Sequence, residues 1–280
     1  MNNPEKATLS PRRVFLKCGA CSHAMFHLLN HEFDNINAEK EKAADLLAGG
    51  IALKGHQCGM LWGGSLAIGA EAFRRHSDTG NATAAAINTS KLLIESFHDN
   101  AGSVNCRDIT KTDWDKKSQF IVFVLKTMAQ GFIFSFCFRF IKKWTPKAAI
   151  AAREGLSGAK QSSLSCATEV LKKMGATDEN AVTVAGLAGG IGLSGNGCGA
   201  LSAVIWYKML EWSKENPGKT AAMKNNPIAT EILNAFYEQT GSEMVCRNIC
   251  GKKFQTLEEH TEYLKNGGCS KLIDALSALK

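Results

Sequence analysis

Ten of the 280 residues are cysteine, and their positions repeat along the chain. Cys58 and Cys106 stand 48 residues apart, and so do Cys198 and Cys246. Each interval opens on a Cys-Gly step (Cys58-Gly59, Cys198-Gly199) and closes on Cys-Arg (Cys106-Arg107, Cys246-Arg247). A shift of 140 positions superimposes these residues and also lays Leu47-Ala48-Gly49-Gly50-Ile51 on Leu187-Ala188-Gly189-Gly190-Ile191. Coincidence does not produce such a register; the chain is a tandem duplication of one unit. Cys21 and Cys166 correspond after a small change of length, and Cys137 and Cys269 more loosely, 31 and 23 residues beyond the preceding station. Four cysteine stations per half result: Cys21, Cys58, Cys106 and Cys137, then Cys166, Cys198, Cys246 and Cys269. Cys18 and Cys250 are local extras, the latter matched by Thr110 in the first half.

Thiolates at such stations support three chemistries. Four of them from four segments ligate one iron–sulfur cluster per half, which suits electron transfer. Pairs of them cycle between dithiol and disulfide, with Cys18 and Cys21, or Cys58 and a facing cysteine, as the pair. They also hold zinc or copper(I) without redox change. Cys58 and Cys198 each follow a glycine-containing turn and begin an apolar helix, where the helix dipole favours thiolate. Cys18-Gly19-Ala20-Cys21 is a CxxC pair, a weak signal alone, and Ser22 excludes a c-type haem site. His23, His27 and His31 recur at helical spacing, so His23 is a candidate extra ligand or proton relay beside Cys21, and Cys18 and Cys250 are candidate extra ligands of their own halves. The bland alternative for the histidines is a partly packed stripe, and for the Gly59/Gly63 and Gly199/Ala203 stripes it is tight helix packing.

The pattern resembles the redox-active family named for its C-GCAxxG-C-C motif, with four spaced cysteines in a unit about half this chain's length. The motif's C-G-A-x-x-G element reads Cys58-Gly59-Met60-Leu61-Trp62-Gly63 in the first half, with methionine for alanine. In the second half it reads Cys198-Gly199-Ala200-Leu201-Ser202-Ala203, with alanine for the last glycine. The resemblance covers nearly the whole chain, twice. It implies a redox role with a bound iron–sulfur group on Cys21, Cys58, Cys106 and Cys137, and on Cys166, Cys198, Cys246 and Cys269.

The elements that position these residues read as helices. Few prolines, with much alanine, leucine and lysine, favour helix over sheet. Apolar spacing and caps predict helices over Leu16–Asn30, Cys58–His76, Ala82–Asn100 and Lys117–Lys143, then Lys160–Met174, Cys198–Glu215, Thr220–Thr240, Leu257–Leu264 and Ser270–Leu279. The expected fold is all-α, two tandem homologous helical modules (1–150 and 151–280) packed on each other in a pseudo-twofold arrangement, joined near Thr145–Gly158. Trp62 and Trp206 fall on the two central helices as core or cofactor-packing residues. The apolar stretch Phe120–Ile141 carries Lys126, Gln130 and Arg139, so it reads as a pair of buried or membrane-surface helices, with no transmembrane span.

A net charge of +7 comes without a long Lys/Arg run or a basic-aromatic weave, which argues against nucleic acid. The twin arginine at Arg12-Arg13 is not followed by an apolar export segment, so a reducing cytoplasm and free thiols are expected. There is no GxSxG, P-loop, HExxH or Rossmann fingerprint. A redox partner protein is the implied partner.

Overall fold

The computed structural model describes residues 9–129, 131, 135–157 and 161–279. The first module comprises α1 (Pro11–Cys18), α2 (Cys21–Phe33), α3 (Ala38–Lys42), α4 (Gly59–Arg75), α5 (Thr79–Ala101), α6 (Cys106–Thr110), α7 (Lys117–Ala129) and α8 (Phe136–Gly155). The second comprises α9 (Cys166–Lys173), α10 (Asp178–Thr183), α11 (Gly199–Glu215), α12 (Pro227–Thr240), α13 (Cys246–Ile249), α14 (Leu257–Lys265) and α15 (Ser270–Ser277). Among the described residues there is no strand, only two isolated bridges, Gln57 with Asn105 and Gly197 with Val245. The fold is all-α.

Each module is organised around one apolar helix, α4 or α11, that is buried along most of its length. Trp62 and Trp206 are fully buried on them, as core residues. Their indole N–H groups donate to Gln57 O and Lys40 O, each at 3.0 Å, so neither buried donor is left unpaired. Helix α2 lies directly on α4. A Cβ on Gly63 would come within 1.9 Å of Ser22 O, which is why that step of the motif holds glycine.

The two modules pack on each other reciprocally. Helix α4 packs on α10 and α11 packs on α3, and α3 and α10 occupy matching places in the repeat. Gln57 ties the seam from both ends of its amide: Nε2 donates to Gly190 O at 2.6 Å and Oε1 accepts from Gly197 N–H at 2.7 Å. Lys40 and Glu179 pair across it at 2.6 Å.

Five expected elements differ, and the reasons are local. The helix expected over Lys160–Met174 starts only at Cys166, where the Ser165 side chain accepts from Thr168 N–H; Lys160 lies outside the described residues. The helix expected over Leu16–Asn30 breaks at Gly19, whose φ of +78° caps α1, and a new helix starts at Cys21. The helix expected over Lys117–Lys143 ends at Ala129 and resumes at Phe136, with Gln130 and 132–134 outside the described residues. Of the two readings for this stretch, buried or membrane-surface helices, α7 does not fit the buried one: Ile121, Val122, Leu125 and Met128 are exposed on it. No described helix is long and apolar enough to cross a membrane. The expected join at Thr145–Gly158 is helical to Gly155, because Pro146 frees only the carbonyl of exposed Lys142 and Thr145 Oγ1 ties back to Ile141 O. Helix α12 starts only at Pro227, where Asn226 accepts from Ala229 N–H and proline fits the first helical position.

Candidate functional site

All eight station cysteines sit at helix N-termini. Cys21, Cys106, Cys166 and Cys246 are the first residues of α2, α6, α9 and α13. Cys58, Cys198 and Cys269 are the N-caps of α4, α11 and α15, and Cys137 is the second residue of α8. The unpaired N–H groups there carry positive partial charge, which favours a thiolate.

Two backbone devices, present in both modules, bring the stations together. The first is the isolated bridge, which sews the second and third stations side by side. Cys58 N–H donates to Val104 O at 2.8 Å and Cys106 N–H to His56 O at 2.7 Å. In the copy, Cys198 N–H donates to Met244 O at 2.9 Å and Arg247 N–H to Gly195 O at 3.0 Å.

The second device is a left-handed turn. Gly49 to Leu53 all have positive φ, between 47° and 78°, and Gly189 to Leu193 repeat this between 53° and 82°. β-branched Ile51 and Ile191 are costly there, so the surrounding structure must hold them. The reward is at the thiols: the Gly49 N–H reaches Cys21 and the Gly189 N–H reaches Cys166. Gly59 completes the seat in the first module, where a Cβ would lie 2.5 Å from Cys21 Sγ.

In the first module Cys21, Cys58, Cys106 and Cys137 lie within electrostatic reach of one another. The Cys58 thiol donates to Cys21, whose sulfur is thereby held below the usual thiol range against burial, with help from the N–H groups of Gly49 and Ser22. Cys58 itself goes well above that range, through this bond and then burial. Burial pushes Cys106 well up, opposed by Trp114 and Thr110, and pushes Cys137 up to about 12.

The second module gathers five thiols, not four. Cys166, Cys198, Cys246, Cys250 and Cys269 line one cavity of about 10 Å³ with Phe254, His260 and Tyr263. Cys250 sits in the middle, its Sγ 3.8 Å from that of Cys246 and 3.7 Å from that of Cys269. Tyr263 Oη is 4.0 Å from Cys269 Sγ. Hydrogen bonds from Cys246 and Cys269 hold the Cys250 thiol down at about 3 against burial, and Tyr263 adds to them. The two donors move far above the ordinary range, first through that same bond and then through burial. Burial takes Cys166 to about 11 and Cys198 to about 12. His260, also buried, is pushed down to about 4 and stays neutral beside the thiols.

The other extras fall elsewhere. Cys18 lies against His23, whose Nδ1 is 3.1 Å from Asp45 Oδ1. Burial lowers the His23 pKa, but Asp45 and the Cys18 thiol outweigh it and raise it to about 9. His27 pairs with Glu41 at 2.8 Å, so these two histidines are structural partners of carboxylates. Trp114, Phe254, His260 and Tyr263 escaped sequence reasoning. Trp114 and Phe254 occupy matching positions of the repeat, each an aromatic beside its module's thiols, and that match was there to be read.

The family model described as "Putative redox-active protein (C_GCAxxG_C_C)" matches residues 20–148 and again 161–279. The chain belongs to this family. It carries two tandem copies, each redox-active in the family's description, and the C-G-A-x-x-G element falls where Cys58 or Cys198 caps the central helix. No curated protein matches the chain, and no solved structure does.

An iron–sulfur group is the cofactor that the family resemblance implies, and the donors agree in kind: soft thiols at helix N-termini. Their arrangement does not agree. In the second module Cys250 Sγ is in van der Waals contact with the sulfurs of Cys246 and Cys269, and the five thiols line a space that admits about one water molecule. A cluster puts several iron atoms between its ligands. Among the described residues no group of three or more Cys, His, Asp or Glu side chains is disposed to hold a metal ion. As the second module's thiols stand, a multi-iron cluster does not fit among them.

Proposed function

We propose that the protein is a two-centre thiol redox protein whose modules each exchange a dithiol for a disulfide. The observation that carries this reading is sulfur-to-sulfur contact: Cys250 touches Cys269 at 3.7 Å, and Cys21 is hydrogen-bonded by Cys58. In both centres one sulfur favours the thiolate and its neighbour keeps the proton, the division that thiol exchange needs.

The substrate class is a disulfide, RSSR, on a partner protein or a small thiol compound. The Cys250 thiolate attacks one sulfur of RSSR; the S–S bond breaks and RS⁻ leaves, taking a proton from water. The Cys269 sulfur, losing its proton to water, then attacks Cys250 Sγ of the mixed disulfide. The Cys250–Cys269 bond forms as the second RS⁻ leaves. RSSR and two protein thiols thus give two RSH and one protein disulfide, with two electrons passing to the partner. Cys250 and Cys269 are partly exposed while Cys246 is buried, which favours Cys269 over Cys246 as the resolving thiol. In the first module the pair is Cys21 with Cys58, which is buried but is the one thiol hydrogen-bonded to Cys21.

The test is reaction of the anaerobically purified, reduced protein with excess cystamine, alongside assay of iron and acid-labile sulfide. Release of two thiols per module with no cystamine adduct retained is expected. Stoichiometric iron and sulfide, with no cysteine free to react, would establish the iron–sulfur reading instead and overturn this one.

A further inference from the structure

The seam between the modules encloses two clefts in matching places of the repeat, and they are unequal. The first is about 330 Å³ and the second about 100 Å³. Leu53 and Trp114 line the first where Leu193 and Phe254 line the second. The size difference has a structural cause. The opposite wall of the small cleft is α5, helical from Thr79, whereas that of the large cleft is α12, which begins only at Pro227. Residues 223–226, matching 83–86 of α5, therefore form an open loop, and Asn225 takes a φ of +54° in it.

The large cleft has the size and mixture of a small-molecule site. The buried Trp114 lines it, and its side chain also reaches the Cys106 thiol. Tyr237, Met223 and Leu233 supply further apolar wall. Three lysines line it, Lys54, Lys117 and Lys224, against one acidic residue, Asp115. Lys54 is satisfied by Asp115 at 2.8 Å. Lys117 and Lys224 have no carboxylate partner among the described residues, and Lys224 stands over the Phe120 ring at 4.7 Å. The cleft thus carries an excess of positive charge beside the Trp114 indole. In the small cleft Ser194 replaces Lys54 and Gln255 replaces Asp115, and Glu95 lies beside Lys91 and Lys253.

We propose that the cleft lined by Trp114 binds a small organic anion with a flat ring, the ring on the indole and the acid group at Lys117 and Lys224. The proposal does not rest on the dithiol reading. It places a ligand one side chain away from the first module's thiols, and it assigns no equivalent ligand to the second.

The test is calorimetric titration of the full-length protein at low salt with 1-naphthoate, with citrate and neutral 1-naphthalenemethanol as comparison probes. Millimolar or tighter binding of 1-naphthoate is expected, at least tenfold tighter than either comparison probe. A Lys117→Ala/Lys224→Ala variant, changed only at exposed side chains, is expected to bind at least tenfold more weakly. A Lys91→Ala/Lys253→Ala variant is expected to bind like the parent. Equal binding by the parent and the Lys117→Ala/Lys224→Ala variant would overturn the proposal. So would citrate binding as tightly as 1-naphthoate, or no binding of 1-naphthoate at all.

Discussion

The two modules share a backbone and divide their chemistry differently. In the first, the thiolate-favouring sulfur is Cys21, at the start of α2, seated on Gly59 and reached by the Gly49 N–H. In the second, Cys166 holds the matching place and is reached by the matching Gly189 N–H, yet burial leaves it protonated, near 11. The thiolate has moved to Cys250, the one site cysteine that begins no helix; it ends α13. What decides the matter is the number of S–H donors. Cys250 has Cys246 and Cys269 on either side, while Cys166 has none. A helix N-terminus alone does not outweigh the desolvation of a buried thiol; donated hydrogen bonds do.

The strongest way to break this comparison is to exchange the roles. Cys250→Thr gives the second module the residue that the first has at Thr110. It is expected to abolish disulfide formation in that module, measured as thiols released from cystamine, while Cys166→Ser leaves it intact. Cys21→Ser is expected to silence the first module alone.

The pH dependence of alkylation sharpens the same contrast. Cys250, at about 3, is expected to react with iodoacetamide at a rate that stays flat from pH 8 to pH 5, while the other thiols of its module, all raised, slow about tenfold per pH unit. Lower basicity weakens its intrinsic nucleophilicity, so the advantage over an ordinary thiol shows only below about pH 6, reaching roughly tenfold at pH 5. Peptide mass mapping after brief labelling reads this directly.

Packing under the two motifs differs as well. Gly63→Ala copies Ala203 into the first module, where the new Cβ meets the Ser22 carbonyl; a loss of about 3 kcal/mol in denaturant unfolding is expected. Ala203→Gly, the reverse change, is expected to cost about 1 kcal/mol.

The smallest effect is at His23, which has no histidine counterpart in the second module. Its pKa is raised to about 9, so its pairing with Asp45 and Cys18 stabilises the fold fully below about pH 6.5 and fades as pH rises through 9. The stability difference between the parent and His23→Gln is expected to shrink over that range.

Much of this was legible in the residues. The duplication, the all-helical character and the eight stations follow from spacing and composition. The break at Gly19 was written there too, but apolar periodicity runs through it, and only the positive φ reveals a second helix that starts at Cys21. Likewise the Gly-Gly-Ile repeat announces close backbone approach without announcing five consecutive left-handed residues. Cys250 was legible as a departure from the repeat and as a candidate extra ligand, but not as the thiol between two others. Its place depends on Cys269, which reaches it from beyond α14 by a segment whose length differs from that in the first module.

The central claim is that matching modules use non-matching thiols. It is tested most directly by mapping the disulfides formed when the reduced protein is equilibrated with cystamine, trapped in acid and digested. Cys21 joined to Cys58 and Cys250 joined to Cys269 is the expected result. Bonds at the same stations in both modules, Cys166 to Cys198 beside Cys21 to Cys58, would contradict it.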